Sequence, residues 1–157
     1  MKRASLSAVV TTLDNAATLD ECLASLAFCD EIVMLDSGST DATVAIAERH
    51  GARVHSQPFA GYSAQKQAAL DLAQHDWTLL LDADELLSDA ARTAMFTSPR
   101  WRNGARRSMT LPCTSGAAWI GTWFMRPRER RNNRSCQFGK VRGCVQRQNN
   151  HSWRGNR

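Results

Sequence analysis

Three short apolar runs, set between stretches of helical spacing, constrain this chain more than any other feature. LSAVVTT at Leu6–Thr12 is partly β-branched and stops at Asp14 and Asn15, while EIVMLD at Glu31–Asp36 and WTLLLD at Trp77–Asp82 run almost continuously apolar up to a closing carboxylate. Runs of this length, bounded by turn residues, read as strands buried on both faces. Arg53 to Gln57 reads as a shorter strand between the last two.

The intervening segments carry helix signals. Thr18 with Glu21 three residues on has the pattern of a capping box, and Leu19, Cys22, Leu23 and Leu26 follow at helical spacing. Asp41 to His50 places its acid early and its base late, as the helix dipole favours, with Gly51 as a C-cap. Tyr62 to His75 is rich in good helix formers, and Ser88 is positioned to cap a helix through Phe96. The order βαβαβαβα predicts an α/β fold: a mostly parallel sheet with right-handed crossovers, whose ligands sit beyond the carboxyl ends of the strands.

At 157 residues the chain allows one domain of ordinary size. Its 43% hydrophobic and 22% charged content exclude whole-chain disorder, a collagen-like repeat and a disulfide miniprotein. The averages hide a seam. Through Phe96 the chain has 6 Lys+Arg against 14 Asp+Glu, and from Thr97 onward 14 against 1. An acidic, well-patterned segment 1–96 therefore abuts an arginine-rich segment 97–157 with no sustained period, densest at Arg126 to Arg134. The odd set Cys22, Cys29, Cys113, Cys136 and Cys144 suits free thiols in a reducing compartment, so a cytoplasmic location is expected. The apolar stretch before Thr11 is too short for a signal-peptide core, and nothing approaches the roughly 18 apolar residues of a membrane span.

Acid accumulates where a ligand would sit. Three predicted strand ends carry Asp14/Asn15, Asp36 and Asp82/Asp84/Glu85. Carboxylates this close repel one another, and a hard divalent cation completed by phosphate oxygens relieves that repulsion. Taken singly, each residue has a plainer reading. An isolated Asp-x-Asp is commonly a solvated loop pair, Asp36 before Ser37 and Gly38 suits a turn or helix cap, and Lys66 suits a surface pair with Asp71. No GxGxxG, GxxxxGK[ST] or GxSxG occurs, and the histidines and cysteines lack zinc-site spacing.

In combination, TTLDN, VMLDSGSTDAT, FAGYSAQKQAAL and WTLLLDADEL, in this order and spacing, resemble the nucleotide-binding half of family 2 glycosyltransferases. Within that family the chain is similar to bacterial lipopolysaccharide core glycosyltransferases of the β-1,4-glucosyltransferase kind, over Leu6 to Phe96. The resemblance implies a GT-A fold with a Rossmann-like sheet, a nucleotide-sugar donor, usually a UDP sugar, Mg²⁺ or Mn²⁺, inverting transfer, a glycolipid acceptor and contact with the cytoplasmic face of the inner membrane. Carried over, Thr12 and Asp36 would contact the uridine and Lys66 would lie near the nucleotide. Asp82 would stand near the ribose and donor sugar and share the metal with Asp84, while Asp41 would brace the loop after the second strand. At the first strand the family has Asn then Glu where this chain has Asp14 then Asn15, so Asp14 holds the carboxylate one residue early.

A second departure follows Thr97, where the family's acceptor half and its catalytic base should lie. Glu129 is the one acid there, and its surroundings RPRERR do not match the base region, so no catalytic base is assigned. An arginine-rich, acid-poor, aperiodic segment after a well-patterned one is what a shifted reading frame of a GC-rich gene produces, and segment 97–157 is expected to be irregular and of that origin. Two other readings compete. In one, the basic segment with Trp101, Trp119, Trp123 and Trp153 is an arm for nucleic acid or anionic membrane beside a non-catalytic nucleotide-binding fragment. The resemblance itself implies no nucleic-acid partner. In the other, DAD belongs to a haloacid dehalogenase-type phosphatase, whose motif comes on the first strand and has Thr or Val where Leu86 stands.

Overall fold

A computed structural model describes residues 5–75, 77–97 and 145–147. The strands are β1 (Leu6–Thr12), β2 (Glu31–Asp36), β3 (Arg53–Ser56), β4 (Trp77–Asp82), β5 (Glu85–Leu87) and β6 (Val145–Arg147). The helices are α1 (Ala16–Ser25), α2 (Thr43–Arg49), α3 (Tyr62–Asp71) and α4 (Asp89–Thr97). The first four strands form one sheet in the order β3-β2-β1-β4 with every pairing parallel, while β5 and β6 form a separate antiparallel pair. The expected α/β class and mostly parallel sheet are both present.

The two-residue period of the strands sorts the core into two layers. Leu6, Ala8 and Val10 of β1, with Met34, Leu79 and Leu81, face Leu19, Cys22 and Leu23 of α1, Ile46 and Ala47 of α2, and Ala91 and Met95 of α4. Val9, Val33, Leu35 and Leu80 point the other way, against Ala69 and Ala73 at α3. Burial on both faces explains why these strands read as continuous apolar runs rather than alternating ones.

Several boundaries differ from the sequence expectation, each for a local reason. α1 begins at Ala16, not at a Thr18–Glu21 capping box. The carbonyl of Asn15 already accepts from the amides of Thr18 and Leu19 at 3.1 and 3.0 Å, and the Thr18 hydroxyl donates instead to the Ala83 carbonyl at 3.0 Å. α2 begins at Thr43, whose amide donates to Asp41 Oδ1 at 2.9 Å. β3 ends at Ser56, and the amide of Gln57 still reaches the Asp36 carbonyl at 2.9 Å. β5 was not expected between the acids after β4 and the last helix. The end of α4 agrees with expectation to within a residue, and Ser88 Oγ accepts from the Ala91 amide at 3.2 Å.

α3 stops at Asp71 instead of running to His75 because other groups claim the backbone that follows. Arg53 donates to the Leu72 carbonyl at 2.6 Å, Glu31 accepts from the Gln74 amide at 2.9 Å, and Ser7 Oγ accepts from the His75 amide at 3.1 Å. Arg53 also pairs with Glu31 at 2.6 Å. Among the described residues no helix is long and apolar enough to cross a membrane. Apart from Thr97 and β6, the basic segment with its tryptophans, Glu129 and three of the cysteines lies outside the described residues.

Burial acts to raise the Glu31 carboxyl, but hydrogen bonds from Ser7, Gln74 and Arg53 outweigh it and hold the group below the usual glutamate range. A depressed folded-state value contributes stability above the unfolded value, and that contribution is lost as pH falls through the folded one. Glu31→Gln should therefore lower the melting temperature at pH 7, by the equivalent of about 1–2 kcal/mol, and the gap to the parent should close on acidification below roughly pH 4. Thermal melts across that range check it; a gap that stays constant with pH would contradict it.

Candidate functional site

Parallel pairing fixes which strand ends meet. Thr12 is in register with Asp36, and Thr11 with Asp82, so the carboxyl ends of β2, β1 and β4 lie side by side on one edge of the sheet. Each ends in a loop that carries the residues singled out from the sequence.

The loops after β1 and β2 are stitched together by hydrogen bonds from side chains. Asp36 is 3% exposed, and its carboxylate is taken up by its own loop. Oδ2 accepts from the amides of Gly38 and Ser39, both at 3.0 Å, and Oδ1 from the Ser39 hydroxyl. Gly38 closes this turn at φ +102°, which a residue with a Cβ rarely adopts. Asp14, at φ +50°, accepts from the Thr40 amide at 2.7 Å while its own amide donates to Ser39 Oγ at 2.9 Å. Asp41 holds the other side, accepting from the amides of Thr43 and Ala16 at 2.9 and 3.1 Å. Burial acts to raise the Asp41 carboxyl, and these hydrogen bonds reverse the effect, leaving it below the usual range.

Thr12 is buried, and its hydroxyl donates to Asn15 Oδ1 at 3.0 Å, an oxygen that also accepts from the Leu13 amide at 3.1 Å. The inverted order Asp14–Asn15 therefore has a structural consequence: the amide side chain orders the end of β1, and the carboxylate clamps the neighbouring loop.

The end of β4 is organised differently. Lys66, reaching from α3, places Nζ 2.9 Å from Asp82 Oδ1 and 3.0 Å from Oδ2, and the Thr11 hydroxyl donates to Oδ1 at 3.0 Å. Lys66 thus pairs with Asp82; Asp71, the partner of the plainer reading, accepts instead from Gln67 at 2.9 Å. Asp84 is half-buried one residue beyond Ala83. Glu85 is 6% exposed and accepts from the Asp82 amide at 3.1 Å, closing the turn. Burial pushes its carboxyl up to about 7, with the charges of Asp82 and Asp84 acting in the same direction and the Asp82 amide and Lys66 opposing.

The donors at this turn are carboxylate oxygens, the chemistry of a hard divalent cation, and the Lys66 ammonium already stands against Asp82 as a stand-in positive charge. Among the described residues no group of three or more His, Cys, Asp or Glu converges as a ready-made metal cage. Two carboxylates, Asp82 and Asp84, match the Mg²⁺-like pattern in which water and phosphate oxygens complete the shell. The residues fit the expected group.

Asp14, Thr12, Asp36 and Asp41 thus gather in the β1 and β2 loops, and Lys66, Asp82 and Asp84 at the end of β4. Sequence reasoning missed two supporting residues, Thr11 and Gln65, and gave no separate role to two that it placed at the strand ends, Asn15 and Glu85. Thr11 and Glu85 bind Asp82, Asn15 binds Thr12, and Gln65, 2% exposed, donates to Ser37 Oγ at 3.0 Å. Of the two missed, Gln65 carried a usable hint, a long amide on the helix face that also bears Ala69.

Comparison with known proteins bears on the same segment. The Glycosyl transferase family 2 model matches residues 7–96. Lipopolysaccharide core biosynthesis glycosyltransferase LpsC of Rhizobium meliloti is 41% identical over 92 residues, covering 55% of this chain and 34% of that protein. An uncharacterized glycosyltransferase of Rickettsia felis is 45% identical over 84 residues, covering 53% of this chain and 30% of that one. Glucosyl-3-phosphoglycerate synthase from Mycobacterium tuberculosis, crystallised with Mn²⁺, UDP and glucosyl-3-phosphoglycerate, superposes with a TM-score of 0.47 at 29% identity, covering 53% of this chain and 34% of that one. The chain spans about a third of the length of the curated relatives it matches.

The loop clamp makes a prediction. Asp14→Ala leaves the Thr40 amide without its acceptor and puts alanine in a left-handed conformation, so it should lower stability by roughly 1–2 kcal/mol. Amide exchange should quicken first at Ser39 and Thr40. Exchange quickening uniformly across the chain, with no excess in that loop, would contradict the clamp.

Proposed function

This chain belongs to the family 2 glycosyl transferases, and from that premise we propose that its segment 1–96 is the nucleotide-sugar-binding half of a GT-A glycosyltransferase. The reaction we propose is inverting transfer from a nucleoside-diphosphate sugar, with UDP as the nucleotide, to a glycolipid acceptor of the lipopolysaccharide core or a related cell-envelope glycan, at the cytoplasmic face of the inner membrane. The observation that carries this reading is the common edge on which Thr12, Asp36, Asp82 and Asp84 end their strands and turns, beside the cationic Lys66.

In this reading the β1 and β2 loops receive the uridine. Thr12 lies at its edge, and Asp36 acts through the turn it holds, with Asp14 and Asp41 keeping that turn against the start of α1. Asp82, oriented by Thr11 and Lys66, faces the ribose and donor sugar, and Lys66 reaches the diphosphate. Mg²⁺ or Mn²⁺ held by Asp84 and Asp82 would neutralise charge on the departing diphosphate. Transfer also needs a base for the acceptor hydroxyl, which the resemblance puts beyond the matched residues.

The similarity to lipopolysaccharide core biosynthesis glycosyltransferase LpsC supports the envelope-glycan assignment. The phosphatase reading is disfavoured by the family match and by the position of DAD on the fourth strand. The reading as a non-catalytic fragment with a basic arm is disfavoured by the same match. For segment 97–157 we propose a shifted reading frame, supported by the fall from 14 acids to 1 where the family match stops. Translating the other two frames beyond codon 96 should yield acceptor-half sequence of this family, and its absence from both would reject the proposal.

UDP with Mn²⁺ should raise the melting temperature of the intact chain. At ligand concentrations a hundredfold above Kd the gain corresponds to about 2.7 kcal/mol, a shift of several degrees. Asp84→Asn should remove the metal-dependent part. Stabilisation by UDP that ignores Mn²⁺, or none at all, would overturn the reading.

A further inference from the structure

Asp82 has two calls on it. As proposed above it faces the cation and donor, yet both its oxygens are held by the Lys66 ammonium, at 2.9 and 3.0 Å, and Oδ1 also accepts from Thr11. The lysine comes from α3, on the opposite face of the sheet from α1, so it reaches over the end of β4 to make this contact. It stands in the middle of the acid cluster: Asp84 and Glu85 follow within three residues, and Glu85 is tied to the Asp82 amide. With side chains 22% and 35% exposed, the pair is shielded enough to matter and open enough to be displaced.

We propose that Lys66 is a built-in counter-ion. It occupies Asp82 until a cation-bound nucleoside diphosphate displaces it, so that metal and diphosphate are taken up together rather than metal first. The ammonium and a divalent cation cannot share the same two oxygens, because their like charges would stand within a few ångström of one another. A diphosphate resolves the competition by offering Lys66 a more highly charged oxygen acceptor than the carboxylate it leaves. The device also explains how acids at one strand end persist in a folded protein before any ligand arrives. This inference rests on the nucleotide-sugar reading for the identity of the displacing ligand; the competition between lysine and cation rests on the ion pair alone.

The test is a Mn²⁺ titration of the intact chain, followed by the electron paramagnetic resonance signal of free Mn²⁺, with no nucleotide and then with UDP. Lys66→Met keeps the length of the side chain and removes its charge, and should bind Mn²⁺ alone roughly fivefold or more tighter than the parent. Lys66→Arg should stay within about twofold. Adding UDP should tighten Mn²⁺ binding in the parent and much less in Lys66→Met. In an Asp82→Asn background the gain from Lys66→Met should vanish, which ties it to this pair rather than to net charge. Should Lys66→Met melt below the assay temperature, Lys66→Gln takes its place. Unchanged or weaker Mn²⁺ binding in the charge-removing variant, with normal UDP binding by the parent, would overturn the counter-ion. UDP failing to bind the parent with Mn²⁺ present would instead reject the nucleotide-sugar reading, and tightening of Mn²⁺ alone would still support the competition.

Discussion

Parallel pairing of β1 with β2 on one side and β4 on the other is the constraint from which the rest of the molecule follows. A parallel sheet sends every strand in the same direction, so whatever each strand carries at its carboxyl end is delivered to a common edge. Here that cargo is acidic, and placing acids side by side is unfavourable unless something answers the charge. Two answers are built in. At β2, the Asp36 carboxylate is taken up locally by two backbone amides and a hydroxyl; at β4, Asp82 is answered by an ammonium from α3, the helix that precedes the strand. The first builds a rigid turn and the second leaves an exchangeable pair, which is why the two ends of the site have different characters.

Much of this was legible in the sequence because the signals were local. The apolar runs gave β1, β2 and β4 to the residue, since burial on both faces leaves no polar interruption inside them. The sharing of one edge by Asp36 and Asp82 followed from strand order and direction alone. What was not legible depended on partners far away in sequence. The end of α3 is set by Arg53 and Glu31, some twenty to forty residues upstream, and no feature within Leu72 to His75 announces it. Thr18 carried a capping pattern, but Asn15 lay three residues earlier and the Thr18 hydroxyl was claimed by Ala83.

The site residues divide along the same line. Their clustering was readable, but the job of each carboxylate was not. Asp14, Asp36 and Asp41 look alike as acids at or beyond strand ends, yet each spends its oxygens on backbone amides, those of the β2 loop for Asp14 and Asp36 and those that open α1 and α2 for Asp41. Taken singly Lys66 reads as a surface residue, and only the family resemblance puts it near the nucleotide, because a helix of modest amphipathicity gives no hint that one side chain crosses to a neighbouring strand end. Glu85, whose role is to close the turn from behind, is distinguishable from the two aspartates before it only by its burial.

Directly beneath that turn lies Cys22, wholly buried on α1, its sulfur 3.8 Å from the Asp82 carbonyl, with burial pushing the thiol far up from its ordinary value. Sealed and protonated, it is invisible to alkylating reagents while α1 sits on the sheet. Any breathing that lifts the helix uncovers it, so the pace at which such a reagent finds Cys22 is a clock, supplied by the protein itself, for how firmly α1 is held against the end of β4.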